Sequence, residues 1–197
     1  MLSATLGCET WMTSSRPIDS DVELVRAVAR GDKAAFERLF HLYHPRVHAF
    51  SIRMLQDAPT ADEVACDTLY AVWTGAAAFR EQSAVSSWIL GIAYRRSLKS
   101  YHRTARHTDK REPAQAMDEL AELSPHGNPE AHADNAQQVG QMQVALLGLS
   151  SDHRAVIELI ALGYAVGEIA GIVGCPENTV KTRTFHARRQ LRAALQE

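Results

Sequence analysis

Near its C-terminus the chain concentrates positive charge. In CPENTVKTRTFHARRQLRAAL, Cys175 to Leu195, the cations Lys181, Arg183, Arg188, Arg189 and Arg192 occur with no carboxylate between or beyond them up to Leu195. Guanidinium and ammonium groups so placed are suited to neutralising phosphates and releasing their counterions. The 197-residue protein is slightly acidic overall, with a net charge of −2. The patch is therefore local, and a local patch is the electrostatic footprint of a nucleic-acid site.

A second basic run lies in the first half. From Trp88 onward Arg95, Arg96, Lys99, Arg103 and Arg106 interleave with Tyr94 and Tyr101. Aromatics with cations hold unpaired strands by stacking and phosphate neutralisation, while Trp88, Ile89 and Ile92 also fit a core stripe. Asp62, Glu63 and Asp67, followed by Leu69, Val72 and Trp73, form the opposite kind of surface. Acids in a first helical turn complement the helix dipole, and an acidic, apolar face suits a protein partner better than DNA. His41, His44 and His48 are spaced so that one helix face could offer metal ligands. Pro45 lies inside that span and no carboxylate or cysteine joins at ligand spacing, so neither a metal nor a cofactor is expected. No nucleophile elbow, glycine-rich phosphate loop or H-E-x-x-H motif occurs, and no enzyme activity is expected.

Helices must position these groups. Leu24, Val25 and Val28, then Ala35, Phe36, Leu39, Phe40 and Tyr43, recur at helical spacing. Pro45 should interrupt or kink the second stripe, which resumes at Val47, Phe50, Met54 and Leu55. QDAPTADE reads as a turn, with Thr60 as N-cap and Glu63 three residues on. A third helix follows through Val64, Leu69, Val72 and Trp73, and a fourth starts at about Ser86 or Ser87. No stretch shows sustained strand alternation.

The composition then shifts. Glu112 to Asp134 carries six acids and no Lys or Arg, with Pro113, Pro125, Gly127 and Pro129, the signature of a linker. Helical periodicity resumes at Val139. Ser150 or Ser151 caps a helix ended by Gly163, a short helix ends at Gly174, CPEN turns, and a longer helix begins at Asn178 or Thr179. Short helix, turn and long basic helix form the helix-turn-helix pattern. On its last helix Val180, Thr184, Ala187, Leu191 and Leu195 share an anchoring face, leaving Lys181, Thr182, Arg183, Phe185, His186, Arg188 and Arg189 outward.

The expected fold is all-α: a flexible tail at 1–19, one small helical domain at 20–107, an acidic linker at 108–136 and a second domain at 137–197. The three cysteines, Cys8, Cys66 and Cys175, form no C-x-x-C pair. They fit a reducing cytosol, with Cys66 and Cys175 as small buried or half-buried side chains. No window approaches the apolar length of a membrane span. A cytoplasmic protein is expected.

The segment LSSDHRAVIELIALGY, EIAGIVGCPENTVKTRTFHARRQLRAAL resembles region 4 of the extracytoplasmic-function sigma factors, in the sigma-70 family. By itself it fits a stand-alone helix-turn-helix regulator equally well. FERLFHLYHPRVHAFSIRMLQDAPTADEVACDTLYAVW and FREQSAVSSWILGIAYRRSLKSYHR are similar to region 2 of the same group, and the two matches follow the family's order. The resemblance implies a transcription initiation factor that brings core RNA polymerase to promoters. Region 4 would read the −35 element: Lys181, Thr182, Phe185 and His186 match base-facing positions, Arg183 and Arg188 match phosphate contacts, and Thr179 and Arg189 complete the set. Region 2 would open the −10 element with Phe79, Arg80, Ser83, Trp88, Tyr94, Arg95, Arg96, Lys99 and Arg103. Asp62, Glu63, Asp67, Leu69, Tyr70 and Trp73 would dock on the β′ clamp, with the β flap as a second polymerase contact. An anti-sigma factor is a further implied partner.

Overall fold

The computed structural model describes residues 20–108 and 140–196. The expected tail, nearly all of the expected linker, and Cys8 lie outside them. Every regular element among the described residues is helical, in agreement with the expected all-α class of two helical modules.

In the first module, Ser20 opens α1 (Asp21–Ala29) with a reciprocal cap: its Oγ accepts from Glu23 N–H at 3.3 Å, and Glu23 accepts from Ser20 N–H at 3.0 Å. Asp32 caps α2 (Lys33–Leu55), which runs unbroken through Pro45. The expected interruption does not occur; Pro45 lies on an exposed face, while the opposite face buries Leu39, Tyr43, Val47, Phe50 and Met54. Helix α3 (Ala58–Gly75) starts earlier than its sequence signal. Asp57, not Thr60, is the N-cap, accepting from Thr60 N–H at 2.9 Å, and Pro59 occupies the first turn, where its missing N–H costs nothing. A 3₁₀ turn (Ala76–Ala78) leads through residues 79–84 to α4 (Val85–Thr108).

The second module begins with helical residues 140–147, here α5. Then come α6 (Ser151–Ala161), α7 (Val166–Val173) and α8 (Glu177–Ala194). Ser150 caps α6, its Oγ accepting from His153 N–H at 3.4 Å. Gly174 supplies the left-handed turn after α7, with φ of 70°.

The modules share one continuous core. Leu39, Phe50, Leu69, Ile89 and Leu90 of the first join Val156, Leu159, Ile169, Ile172 and Val180 of the second. Helix α7 lies along α4, and α6 lies against α2. At the first crossing the helices approach closely: a Cβ at Gly91 would stand 3.6 Å from the Ile172 carbonyl oxygen, in ordinary van der Waals contact.

Arg154, only 1% exposed, joins both modules. Its Nε donates at 3.0 Å to Leu146 O, which also accepts from Leu149 N–H at 3.2 Å, and its Nη2 donates to Leu147 O at 2.8 Å, both at the end of α5. Its Nη1 donates to Met54 O at 2.9 Å, at the end of α2 in the other module. The guanidinium carbon lies 5.4 Å from the Tyr101 ring centroid on α4. Nearby Glu158 is 4% exposed and 3.5 Å from Arg53. Burial raises its pKa above the usual 4.5, against the opposing pull of Arg53 and Arg154.

Two outcomes follow. Arg154→Met leaves the buried Met54 carbonyl without this donor and loses the two part-buried bonds to the end of α5, and should cost on the order of 3 kcal/mol in urea unfolding. A carboxyl with a raised folded-state pKa binds its proton more tightly when folded, so its contribution is full below pH 4.5 and falls as pH rises. Glu158→Gln removes that dependence, so its stability relative to the native chain should increase from pH 4.5 upward in pH-resolved denaturation.

Candidate nucleic-acid and polymerase interface

Helix α8 divides into an anchored and a presented face. Val180 and Ala187 are fully buried, and Thr184 and Leu191 half-buried. Leu195 is 41% exposed, so the anchoring face ends one turn earlier than its spacing implies. Lys181, Thr182, Phe185, Arg188 and Arg189 are exposed, while Thr179 and His186 are half-buried. Ahead of α8, Ala165 begins α7 without a side-chain acceptor of its own, and its N–H donates to Glu168 at 2.9 Å. The exposed residues form a cationic strip along one side of α8.

Arg183 differs from its neighbours. Its Nη2 lies 2.5 Å from Asp152 Oδ2 on α6, and its Nη1 lies 3.9 Å from Cys175 Sγ. Only 24% of the side chain is exposed. Asp152 carried no sequence signal beyond its place in a first helical turn.

In the first module Arg80, Ser83, Arg95, Lys99 and Arg103 are exposed and Arg96 half-buried. Phe79 and Trp88 pack together with centroids 4.9 Å apart, both half-buried against the core. The loop carrying Phe79, Arg80 and Ser83 is tied to α1 by a two-pronged pair, Arg26 Nε and Nη2 each 2.7 Å from a Glu81 oxygen. Tyr94, expected on the strand-holding surface, is instead 5% exposed. It donates to Asp152 Oδ1 at 3.0 Å, and burial beside that carboxylate pushes its phenol up to about 12.

On α3 the acids Asp62, Glu63 and Asp67 and the ring of Tyr70 are exposed. Leu69 is not: at 0% exposure it belongs to the core, because its position follows Ala61, Val64, Ala65 and Thr68 around the buried side of the helix. Trp73 is half-buried, 5.0 Å from the Phe36 ring. Phe36 and Phe40 of α2, with Tyr70 and Trp73, line an apolar groove that also holds Cys66. Sequence periodicity had assigned both phenylalanines to the core stripe. Cys66 is exposed, against the expectation of burial.

The acidic and basic surfaces touch. Asp67 lies 2.9 Å from Arg96, Glu63 3.7 Å from Arg103, and Asp62 3.1 Å from His48. These pairs are solvent-exposed and each contributes about 0–1 kcal/mol. The geometry predicts a contrast along α8. Val180→Ala should cost about 1–3 kcal/mol of stability, whereas Lys181→Ala and Phe185→Ala should stay within about 0.5 kcal/mol of the native chain in thermal denaturation.

Comparison with known proteins gives the same two-part division. The sigma-70 region 2 family matches residues 39–107, and the sigma-70, region 4 family matches residues 140–191. The chain is 30% identical over 173 residues to the ECF RNA polymerase sigma factor SigM of Mycobacterium tuberculosis, covering 87% of this chain and 83% of SigM. It is 30% identical over 180 residues to the ECF RNA polymerase sigma factor RpoE of Cereibacter sphaeroides, covering 87% and 92%. Among solved structures its fold is similar to RpoE of Bartonella quintana in complex with the anti-sigma factor NepR, with a TM-score of 0.64, 24% identity and coverage of 82% and 96%. It is also similar to CnrH in complex with the cytosolic domain of CnrY, with a TM-score of 0.66, 21% identity and coverage of 90% and 98%. With both regions matched in order and a 30% identical relative aligned over most of its length, the chain belongs to the extracytoplasmic-function group of the sigma-70 family, the RNA polymerase sigma factors of transcription initiation.

Proposed function

We propose that this protein binds core RNA polymerase and directs it to promoters through two DNA surfaces. The domain at 137–197 reads the −35 element with Lys181, Thr182, Phe185, Arg188 and Arg189 toward the groove and Thr179, Arg183 and His186 beside them. The domain at 20–107 meets the −10 element with Arg80, Ser83, Arg95, Lys99 and Arg103, and the Phe79–Trp88 pair stands behind that loop. The same domain docks on the β′ clamp through Asp62, Glu63, Asp67, Tyr70 and Trp73, and the β flap takes the second domain. Residues 108–136 join the two.

The observation that carries this reading is the division of α8, whose apolar side is locked into the fold while its cations and Phe185 remain exposed. The exposed acids of α3 beside an apolar groove support a protein partner on the first domain. The related structures named as complexes with an anti-sigma factor, or with the cytosolic domain of CnrY, support a restraining protein partner here too. No described helix is long and apolar enough to cross a membrane, which is consistent with action in the cytoplasm.

The rival is a regulator that binds duplex DNA without replacing the sigma subunit. Run-off transcription with core polymerase separates them: added to core enzyme and promoter templates, this chain should start transcripts, and a regulator would leave core silent. The bound holoenzyme should also lose affinity steeply with salt, and Arg188→Ala should reduce the slope of log K against log salt by about 1.

A further inference from the structure

The loop assigned above to the −10 element carries a tether that DNA contact alone does not explain. Residues 80–84 are all exposed. The loop's ends are set by Phe79 N–H bonding Ala76 O at 3.1 Å and by Trp88 N–H bonding Ala84 O at 3.0 Å. Between those ends the Arg26–Glu81 pair holds it. Arg26 Nε and Nη2 donate to separate oxygens of Glu81, each at 2.7 Å, across 55 residues of chain. Arg26 itself stands on a fixed element. Its neighbours Leu24, Val25 and Val28 are buried, and α1 packs beside the 3₁₀ turn from which the loop leaves.

Glu81 is an unusual residue for its place. Its backbone is left-handed, with φ of 57°. Gln56, the other described non-glycine residue with positive φ, closes α2 as its C-cap, where helices commonly turn left-handed. Glu81 ends no helix. Glycine or asparagine would take this conformation with less strain. A glutamate there also puts a negative charge between Arg80 and Ser83, on a surface that would face phosphates. One contact answers both costs: the guanidinium that neutralises the carboxylate also holds the strained backbone. Strain that the surroundings maintain marks a shape that is used. Exposed ion pairs are ordinarily weak, but two parallel bonds between a guanidinium and a carboxylate are the favourable exception.

We propose that Arg26 is a positioning residue for −10 recognition. By gripping Glu81 it holds the 79–84 loop in its base-receiving shape, with Arg80 and Ser83 outward, and so sharpens the preference for one base over the others. The inference rests on the sigma reading above and adds to it a residue of α1 outside the set assigned to DNA. A loosened loop spends less time in the receptive shape, and apparent affinity for the preferred base falls with that fraction.

Three variants of the full chain test this. Arg26→Ala removes the tether, Arg26→Lys keeps the charge without the fork, and Arg26→Glu combined with Glu81→Arg rebuilds the pair in reverse. Hydrogen exchange of the free chain reads the loop directly. The amides of residues 80–84 should exchange about threefold faster in Arg26→Ala, the size of effect an exposed pair can give. That difference should vanish in about 1 M salt, which screens the pair, and the reversed pair should restore slow exchange. For base preference, the native chain with core polymerase first selects a promoter from random duplex DNA. That promoter is then randomised over its −10 element in one template pool and over its −35 element in another, and the transcripts are sequenced. Arg26→Ala should lower the preference for the best −10 base about threefold, with Arg26→Lys between it and the native chain and the reversed pair restored. The −35 preference should not change. An unchanged −10 preference in Arg26→Ala overturns the proposal, and so does unchanged exchange at residues 80–84. A uniform loss of transcription that Arg26→Lys restores and the reversed pair does not also overturns it, since that is the pattern of a cation on a phosphate. If the native chain selects no promoter, the sigma reading falls and the proposal with it, whereas a selected promoter with unaltered base preference removes the proposal alone.

Discussion

The Arg154 guanidinium is the constraint on which the arrangement of this molecule depends. Two helices, α2 and α5, end beside Arg154, and it pairs their last carbonyls, the Met54 bond buried and those to Leu146 and Leu147 part-buried. A neutral side chain could satisfy one of them. The planar fork of five N–H donors satisfies both ends together, and the ring of Tyr101 lies close to the same cation. Burying a charge is costly unless every donor finds a partner. Once Arg154 is in place, α6 is therefore fixed against α2, and α7 follows it onto α4.

That placement determines how the charged surfaces are used. The acids of α3 and the cations of α4 lie close enough to pair, as Asp67 does with Arg96 and Glu63 with Arg103. Exposed pairs of this kind are readily exchanged for other partners. The pair between Arg183 and Asp152 is more enclosed, and Asp152 also holds Tyr94. The surface thus carries charges in two conditions. Some are loosely paired at the surface, and others are held in a more enclosed contact.

Much of this fold was legible in the sequence because it is written locally. Leu39, Tyr43, Val47, Phe50 and Met54 repeat at helical spacing and do line a buried face. Gly163 and Gly174 ended helices where their backbone freedom was required. Local signals misled where two readings competed within a few residues. Asp57 captured the Thr60 N–H that a Thr60 cap would have left to others, and α2 absorbed Pro45 on its outer side. The exposed side of α8 was readable from periodicity, but the roles of Asp152 and Arg154 were not. Tyr94 is 58 residues from Asp152, and Met54 is 100 residues from Arg154. No window of sequence contains such a pair, and the burial of Tyr94 follows from it.

The distance from Met54 to Arg154 also has a meaning in time. A ribosome adding about 5–20 residues per second needs roughly 5–20 seconds to make the intervening chain. Throughout that interval the Met54 carbonyl lacks the donor it has in the finished fold. Helix α2 is therefore made well before the residue that pairs its last carbonyl, and that pairing is a late event in the life of the nascent chain.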